Sequence, residues 1–533
     1  MTRVAAPGVA DRLKAFDQAD AARRLWRKDP ALWKPGQPAP KELADRLGWL
    51  EAPRAMRERA GEFEAFSDEL RRDGTRDVVL LGMGGSSLFG DLLAKTFGPA
   101  EDAPALTVLD STSPAAILAL QRRLDLGRTV FLVASKSGST VETACLYEHF
   151  RARAEASLGA SEAGARFVAI TDPGTPFERQ AREQGFRRVF LSPPDVGGRY
   201  SALTPFGLVP AAALGHAPAR LLESALRMAE ACGPGRAASV NPGFQLGAWL
   251  GEAALAGKDK LTLILSPRLA SLGAWLEQLV AESTGKEGRG ILPIDGWEPA
   301  EAYGEDRVFV YVRLAGQADP EQEKRVEGLA RAGKPLLVFD LADRWDLGAE
   351  VFRWEVATAV AGMVLGINPF DQPNVQESKD LTREALAKPA AGPPAAARLE
   401  DFLDLASRSR PGDYLALNAF IPGSPAELEA LALLRRRLQE RFRRPATLGL
   451  GPRYLHSTGQ LHKGGAGTGV FLVLSSQPAE DLPVPGRSYT FGRLASAQAE
   501  GDLQALARRG RRAVRLVLGD DPAAGLRELA GRV

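Results

Sequence analysis

Short apolar runs that end in glycine, serine, threonine or aspartate recur along this chain, and stretches of helical period separate them. That alternation leaves few folds open. RDVVLL (76–81), ALTVLD (105–110), TVFLVAS (129–135), RFVAIT (166–171) and RRVFLS (187–192) are continuous apolar runs, not alternating ones. Strands read that way when both faces of their sheet are covered. Strands joined through helices need crossover connections, so the spacing predicts a parallel sheet. The pattern restarts after SVNPG (239–243) with LTLILS (261–266), RVFVYV (307–312) and PLLVFD (335–340). Both halves run a strand into a serine loop and then a helix: VASKSGSTVETACL in one, ILSPRLASLGAWLEQL in the other. Two related α/β sheet domains are expected. Further along, DYLALNAF, GVFLVLSS and AVRLVLGD repeat the pattern. They form either a third α/β segment or a continuation of the second sheet, and the sequence leaves both open.

At 533 residues the chain exceeds what one core supports, so two to four packed units are expected. The expected division is a helical, Pro-punctuated segment over 1–54, a first sheet domain over 55–235, a second over 236–392 and the C-terminal segment over 393–533. AAGPPAAAR (390–398) serves as the linker. The formal net charge of +2 gives no reason to expect nucleic acid. Cys145 and Cys232 cannot make a disulfide framework, which fits a reducing cytoplasm. No cleavage-type leader is apparent, and no run of about 18 apolar residues occurs, so no membrane span is expected.

Two loops can hold an anion. GMGGSSLFG (82–90) follows a strand, but Ser87 stands where a dinucleotide fingerprint needs its third glycine. Its glycines still let backbone N–H groups approach a ligand at Gly85 and Ser86, and serine hydroxyls add donors. SKSGST (135–140) opens a helix after a strand. Ser135, Lys136, Ser137 and Thr140 put hydroxyls and a cation where the helix start supplies free N–H groups and a positive dipole end. A Ser-rich cap without a ligand would look similar. The strand's carboxyl end, where ligands bind in open sheets, favours a phosphomonoester. ESTGKEGRG is no nucleotide loop: Glu287 follows the Gly-Lys pair and Val280 replaces the first glycine.

GMGGSSL, SKSGSTVET, DVGGRYSALTPFGLVP (195–210), QLVAESTGK and NPFDQPNVQESK (368–379) together resemble, in order, the signature segments of phosphoglucose isomerases. The region after about residue 400 is more similar to the isomerase half of bacterial transaldolase–phosphoglucose isomerase fusions. The resemblance implies two sugar-isomerase-type domains, doubly wound and flavodoxin-like, plus the C-terminal α/β segment. It also implies a phosphosugar substrate, no cofactor, no metal and a homodimer. The activity it implies is isomerisation of glucose 6-phosphate to fructose 6-phosphate through a cis-enediol, a step of glycolysis and gluconeogenesis. A dual phosphoglucose/phosphomannose isomerase would use the same residues. A phosphosugar-binding protein without catalysis would not need Gln278, Glu282, Arg199 and Lys379 together.

The resemblance makes Glu282 the base. It lies near the negative dipole end of a helix, a setting that suits a proton acceptor, and Gln278 is one turn earlier on the same face. Arg199, after two glycines, steadies the enediolate oxygen. Gln372 and Lys379 reach the sugar. Opening the closed pyranose calls for a group that titrates near neutrality, and histidine is the side chain of that kind. The family's N-G-Q-H segment, commonly lent by a neighbouring subunit, is matched best by TGQLH (458–462), which indicates His462 with His456 as the alternative. Leu461 interrupts the motif, and the segment follows FDQPNVQESK instead of preceding it. His149 and His216 read as structural.

Overall fold

In a computed structural model, described for residues 7–36, 38, 40–296, 303–387 and 397–533, the strands form three separate sheets. The first contains β1 (Asp77–Leu81), β2 (Ala105–Leu109), β3 (Thr129–Ala134), β4 (Phe167–Thr171) and β5 (Arg188–Leu191). The second contains β6 (Lys260–Leu265), β7 (Leu292–Ile294), β8 (Arg307–Leu314) and β9 (Leu336–Leu341). The third contains β10 (Tyr414–Phe420), β11 (Ala446–Leu450), β12 (Gly469–Ser476) and β13 (Arg512–Leu518). Their orders are β2-β1-β3-β4-β5, β7-β6-β8-β9 and β11-β10-β12-β13, with every pairing parallel. All three follow the flavodoxin-like order, in which the first strand sits between the second and third. The C-terminal strands therefore build a sheet of their own and do not extend the second.

Strand composition explains placement. β3, β4 and β10 are buried at every residue, whereas β2 and β5, at the edges, are mostly part-exposed. β7 (LPI) and β11 (ATLGL) are too short or too weakly apolar to stand out in the sequence. The helix Leu347–Leu365 is apolar on nearly all sides, and it is buried on nearly all sides. It packs against the helix Pro242–Leu255, where Gly243, Gly247 and Gly251 face Val356, Val360 and Val364 too closely for a Cβ.

The N-terminal stretch is helical at Val9–Gln18, Ala21–Trp26 and Lys41–Asp45, and the helix Ala52–Glu58 crosses residue 54. Trp26 and Trp33 donate their indole N–H groups to the carbonyls of Cys232 and Ala359, pinning this stretch to the large core. All but the last two residues of AAGPPAAAR lie outside the described residues. The third sheet's surroundings pack on both others: Phe491 and Leu494 join the first sheet's core, while Tyr414 and Tyr454 cluster with Leu292 and Ile294 of the second. Among the described residues no helix is long and apolar enough to cross a membrane.

Candidate active site

A cavity of about 790 Å³ opens where the three sheets meet. Gly85 and Ser86 line it from the turn after β1, and Lys136, Ser137 and Thr140 from the loop after β3. Arg199 enters from the GGRYS turn. Gln278 and Glu282 face it from the helix Leu272–Thr284, and Gln372 and Lys379 from FDQPNVQESK. His456 reaches it from the turn after β11.

Thr140 caps the long helix Val141–Leu158, so the first free N–H groups of that helix sit at the cavity's hydroxyl end. Ser137 and Ser139 pair at 2.8 Å. Ser135 does not line the cavity; it is buried behind the loop and donates to Thr140 Oγ1 at 3.3 Å, a supporting contact. Lys136 is tied at 2.5 Å to Asp172, the residue after β4, and burial lowers its pKa.

The opposite end is more tightly determined. Arg199 is only 4% exposed, and every arm of its guanidinium is engaged. Nε donates to Ser283 Oγ (2.7 Å), one terminal nitrogen to Gln372 Oε1 (2.9 Å), and the other to the carbonyls of Pro369 and Asp371 (2.8 Å each). Glu282 Oε2 lies 3.6 Å from Arg199 and accepts from Gln278 Nε2 at 3.1 Å. The same amide nitrogen donates to the backbone carbonyl of His456 (2.8 Å), while Gln278 Oε1 has no partner among the described residues. Burial pushes Lys286 down to about 8; it holds the loop of Gln372 through the carbonyl and carboxylate of Asp371.

His456 Nε2 meets Glu142 Oε1 at 3.0 Å, and Gln498 donates to the same oxygen at 2.8 Å. Burial disfavours the charge on Glu142, but the facing His456, helped by Lys379, holds its pKa below the usual carboxylate value. Sequence reasoning gives Glu142 no role; its place in the first turn after SKSGST is the one signal that points to it. Glu42 and Arg46, which line the hydroxyl end from the N-terminal stretch, carry no such signal.

His462, the histidine that the motif match indicates first, is not brought to the cavity. It faces the interior from the short helix Gly459–Gly464, packed among the rings of Tyr414, Tyr454 and Phe471, and neither ring nitrogen has a partner among the described residues. It lies six positions after His456, and the intervening turn sends the two in different directions. His149 is buried against Gln121 (2.9 Å), and His216 meets the carbonyl of Gly98 (2.7 Å).

A family model described as phosphoglucose isomerase matches residues 57–290. The chain is 31% identical over 395 residues to a glucose-6-phosphate isomerase of Heliobacterium modesticaldum, covering 64% of this chain and 87% of that protein. It is 29% identical over 395 residues to one of Rubrobacter xylanophilus, covering 65% and 90%. Among solved structures, a hypothetical protein of Thermus thermophilus aligns with a TM-score of 0.62 at 27% identity, over 72% of this chain and 98% of that one. A glucose-6-phosphate isomerase of Chlamydia trachomatis shares the fold with a TM-score of 0.58 at 20% identity, over 70% and 85%.

Proposed function

The chain belongs to the phosphoglucose isomerase family, and from that membership we propose that it interconverts glucose 6-phosphate and fructose 6-phosphate through an enediol formed at Glu282. The observation that carries this reading is the convergence of Glu282, Arg199, Gln278 and His456 on the cavity whose other end is the serine loop. The phosphate sits at Gly85, Ser86, Ser137 and Thr140, where hydroxyls and helix N–H groups can cradle it. Held there, it directs C1 and C2 toward Glu282.

The sequence of steps starts with ring opening. His456, backed by the Glu142 carboxylate, moves a proton between O1 and the ring oxygen. Glu282 then takes the proton from C2. The electron pair moves into a C1–C2 double bond, and negative charge gathers on O1, where the fixed guanidinium of Arg199 stabilises it without reorganisation. Glu282 returns its proton to C1 as the proton on O2 passes to O1, so that C2–O2 becomes the carbonyl and O1 a hydroxyl, which leaves the ketose. Gln278 orients Glu282 and offers its free carbonyl to a sugar hydroxyl. Lys379 and Gln372 border the sugar on the remaining side.

The test is a coupled assay on glucose 6-phosphate with wild type and Glu282→Gln. A missing general base is expected to cost about 10²–10⁴-fold in kcat with KM little changed. A variant that keeps more than roughly a tenth of the wild-type kcat, only ~1.4 kcal/mol of barrier, would remove Glu282 from the reaction.

A further inference from the structure

The turn that carries His456 is fastened on both sides, once to each of the other two sheets. Before it, Arg453 donates from Nε and a terminal nitrogen to the two oxygens of Asp110, at 2.6 and 2.8 Å. Asp110 follows β2 of the first sheet and is 6% exposed. After it, Ser457 Oγ donates to Glu277 Oε1 at 3.1 Å. Glu277 precedes Gln278 on the helix Leu272–Thr284, and that Gln278 holds the His456 carbonyl.

Neither Asp110 nor Glu277 lines the cavity. Burying the Asp110–Arg453 pair is costly in a way that apolar packing would avoid, since a buried ion pair often stabilises a fold no better than an apolar pair of its size. What a two-bond guanidinium–carboxylate contact supplies instead is fixed geometry. Burial, with the nearby Asp295 charge, pushes Glu277 up to about 8, so near neutrality its bond to Ser457 is chiefly that of a neutral carboxyl. The Ser457 contact therefore holds the turn without a full negative charge at Glu277.

We propose that Asp110 and Glu277 are positioning residues for His456: through Arg453 and Ser457 they fix the histidine-bearing turn of the third sheet against the first two, and ring opening depends on them although neither touches substrate. This rests on His456 being the ring-opening group. A side chain displaced by about 1 Å can lose on the order of 10² in rate.

Two readouts on the full-length protein separate the possibilities. One is interconversion of the α and β anomers of glucose 6-phosphate, followed by NMR exchange, which needs ring opening and no proton transfer at C2. The other is isomerisation of an analogue methylated at O4 and O5, which cannot close a ring. Asp110→Asn is expected to slow anomer exchange by at least about tenfold, while the open-chain rate and the KM for glucose 6-phosphate stay within about twofold, and Asp110→Glu recovers part of the loss. Ser457→Ala, which leaves the Arg453 contact intact, shows the same pattern more weakly and carries the test if Asp110→Asn does not fold. Wild-type anomer exchange in both variants, with exchange lost in His456→Ala, overturns the positioning role and spares the histidine. Normal exchange in His456→Ala overturns the reading beneath it. An equal loss on both substrates marks a purely structural role and also overturns the proposal.

Discussion

Arg199 is a residue whose identity was legible and whose surroundings were not. Two glycines before it marked a close approach, but the four partners that lock its guanidinium come from a helix and a loop 84 or more positions away. The serine loop is the reverse case, since the local pattern alone is what proposes it as an anion cradle. Phosphate contacts are made equally in ground and transition states, so Ser137→Ala combined with Thr140→Ala should raise KM about tenfold or more with a smaller change in kcat. Steady-state kinetics decide it, and an unchanged KM would move the phosphate elsewhere. His462 shows how burial overrides a motif. Desolvation, reinforced by the Lys463 charge, pushes its pKa down to about 3. The unfolded chain binds a proton there below pH ~6.5 and the folded chain does not, so this site's stability is full above that pH and declines as the pH falls. The loss by pH 5 is about 2 kcal/mol. His462→Phe, which suits the ring cluster, should therefore flatten the decline in urea stability between pH 7 and 5. Parallel pH profiles in variant and wild type would contradict this.

At the scale of elements, most strands could be read in advance, the part-exposed edge strands β2 and β5 included, because each is a short apolar run. β1, β3, β4, β6, β8, β10 and β12 are long enough and apolar enough to stand alone in the sequence. β7 and β11 are edge strands whose pairing, not composition, makes them strands, so no local pattern announces them. The site turns depend on one another in the same non-local way. A Cβ on Gly85 would sit 2.0 Å from the carbonyl oxygen of Gly198, so the turn after β1 and the turn bearing Arg199 touch backbone to backbone. Gly85→Ala must push the two apart. The expected result is a fall in kcat of about 10², from displacing Arg199, with a stability loss of about 1–3 kcal/mol from overpacking. The urea midpoint and kcat measure the two effects separately, and a variant with wild-type kcat would show that the contact does not position Arg199.

For the whole molecule, the third sheet completes the cavity as well as packing on it. His456 lines the same cavity as Glu282 and belongs to the same chain, where the family pattern led one to expect a histidine lent by a neighbour. Mixing Glu282→Gln chains with His456→Ala chains, under conditions that allow any subunits to exchange, should give only the sum of the two residual activities. Restored activity would mean that a second chain supplies the histidine. The sequence by itself determined that parallel sheets would form and which loops would lie at strand ends. Those properties follow from local composition and period, which any window of the chain reveals. Only the tertiary structure decided that the last strands form a third sheet, that His456 and not His462 reaches the cavity, and that Glu142, Asp110 and Glu277 stand behind it. Those outcomes depend on packing between distant segments, as between Asp110 and Arg453, 343 positions apart. The direction a short turn takes is set by what it docks against, which no local pattern encodes.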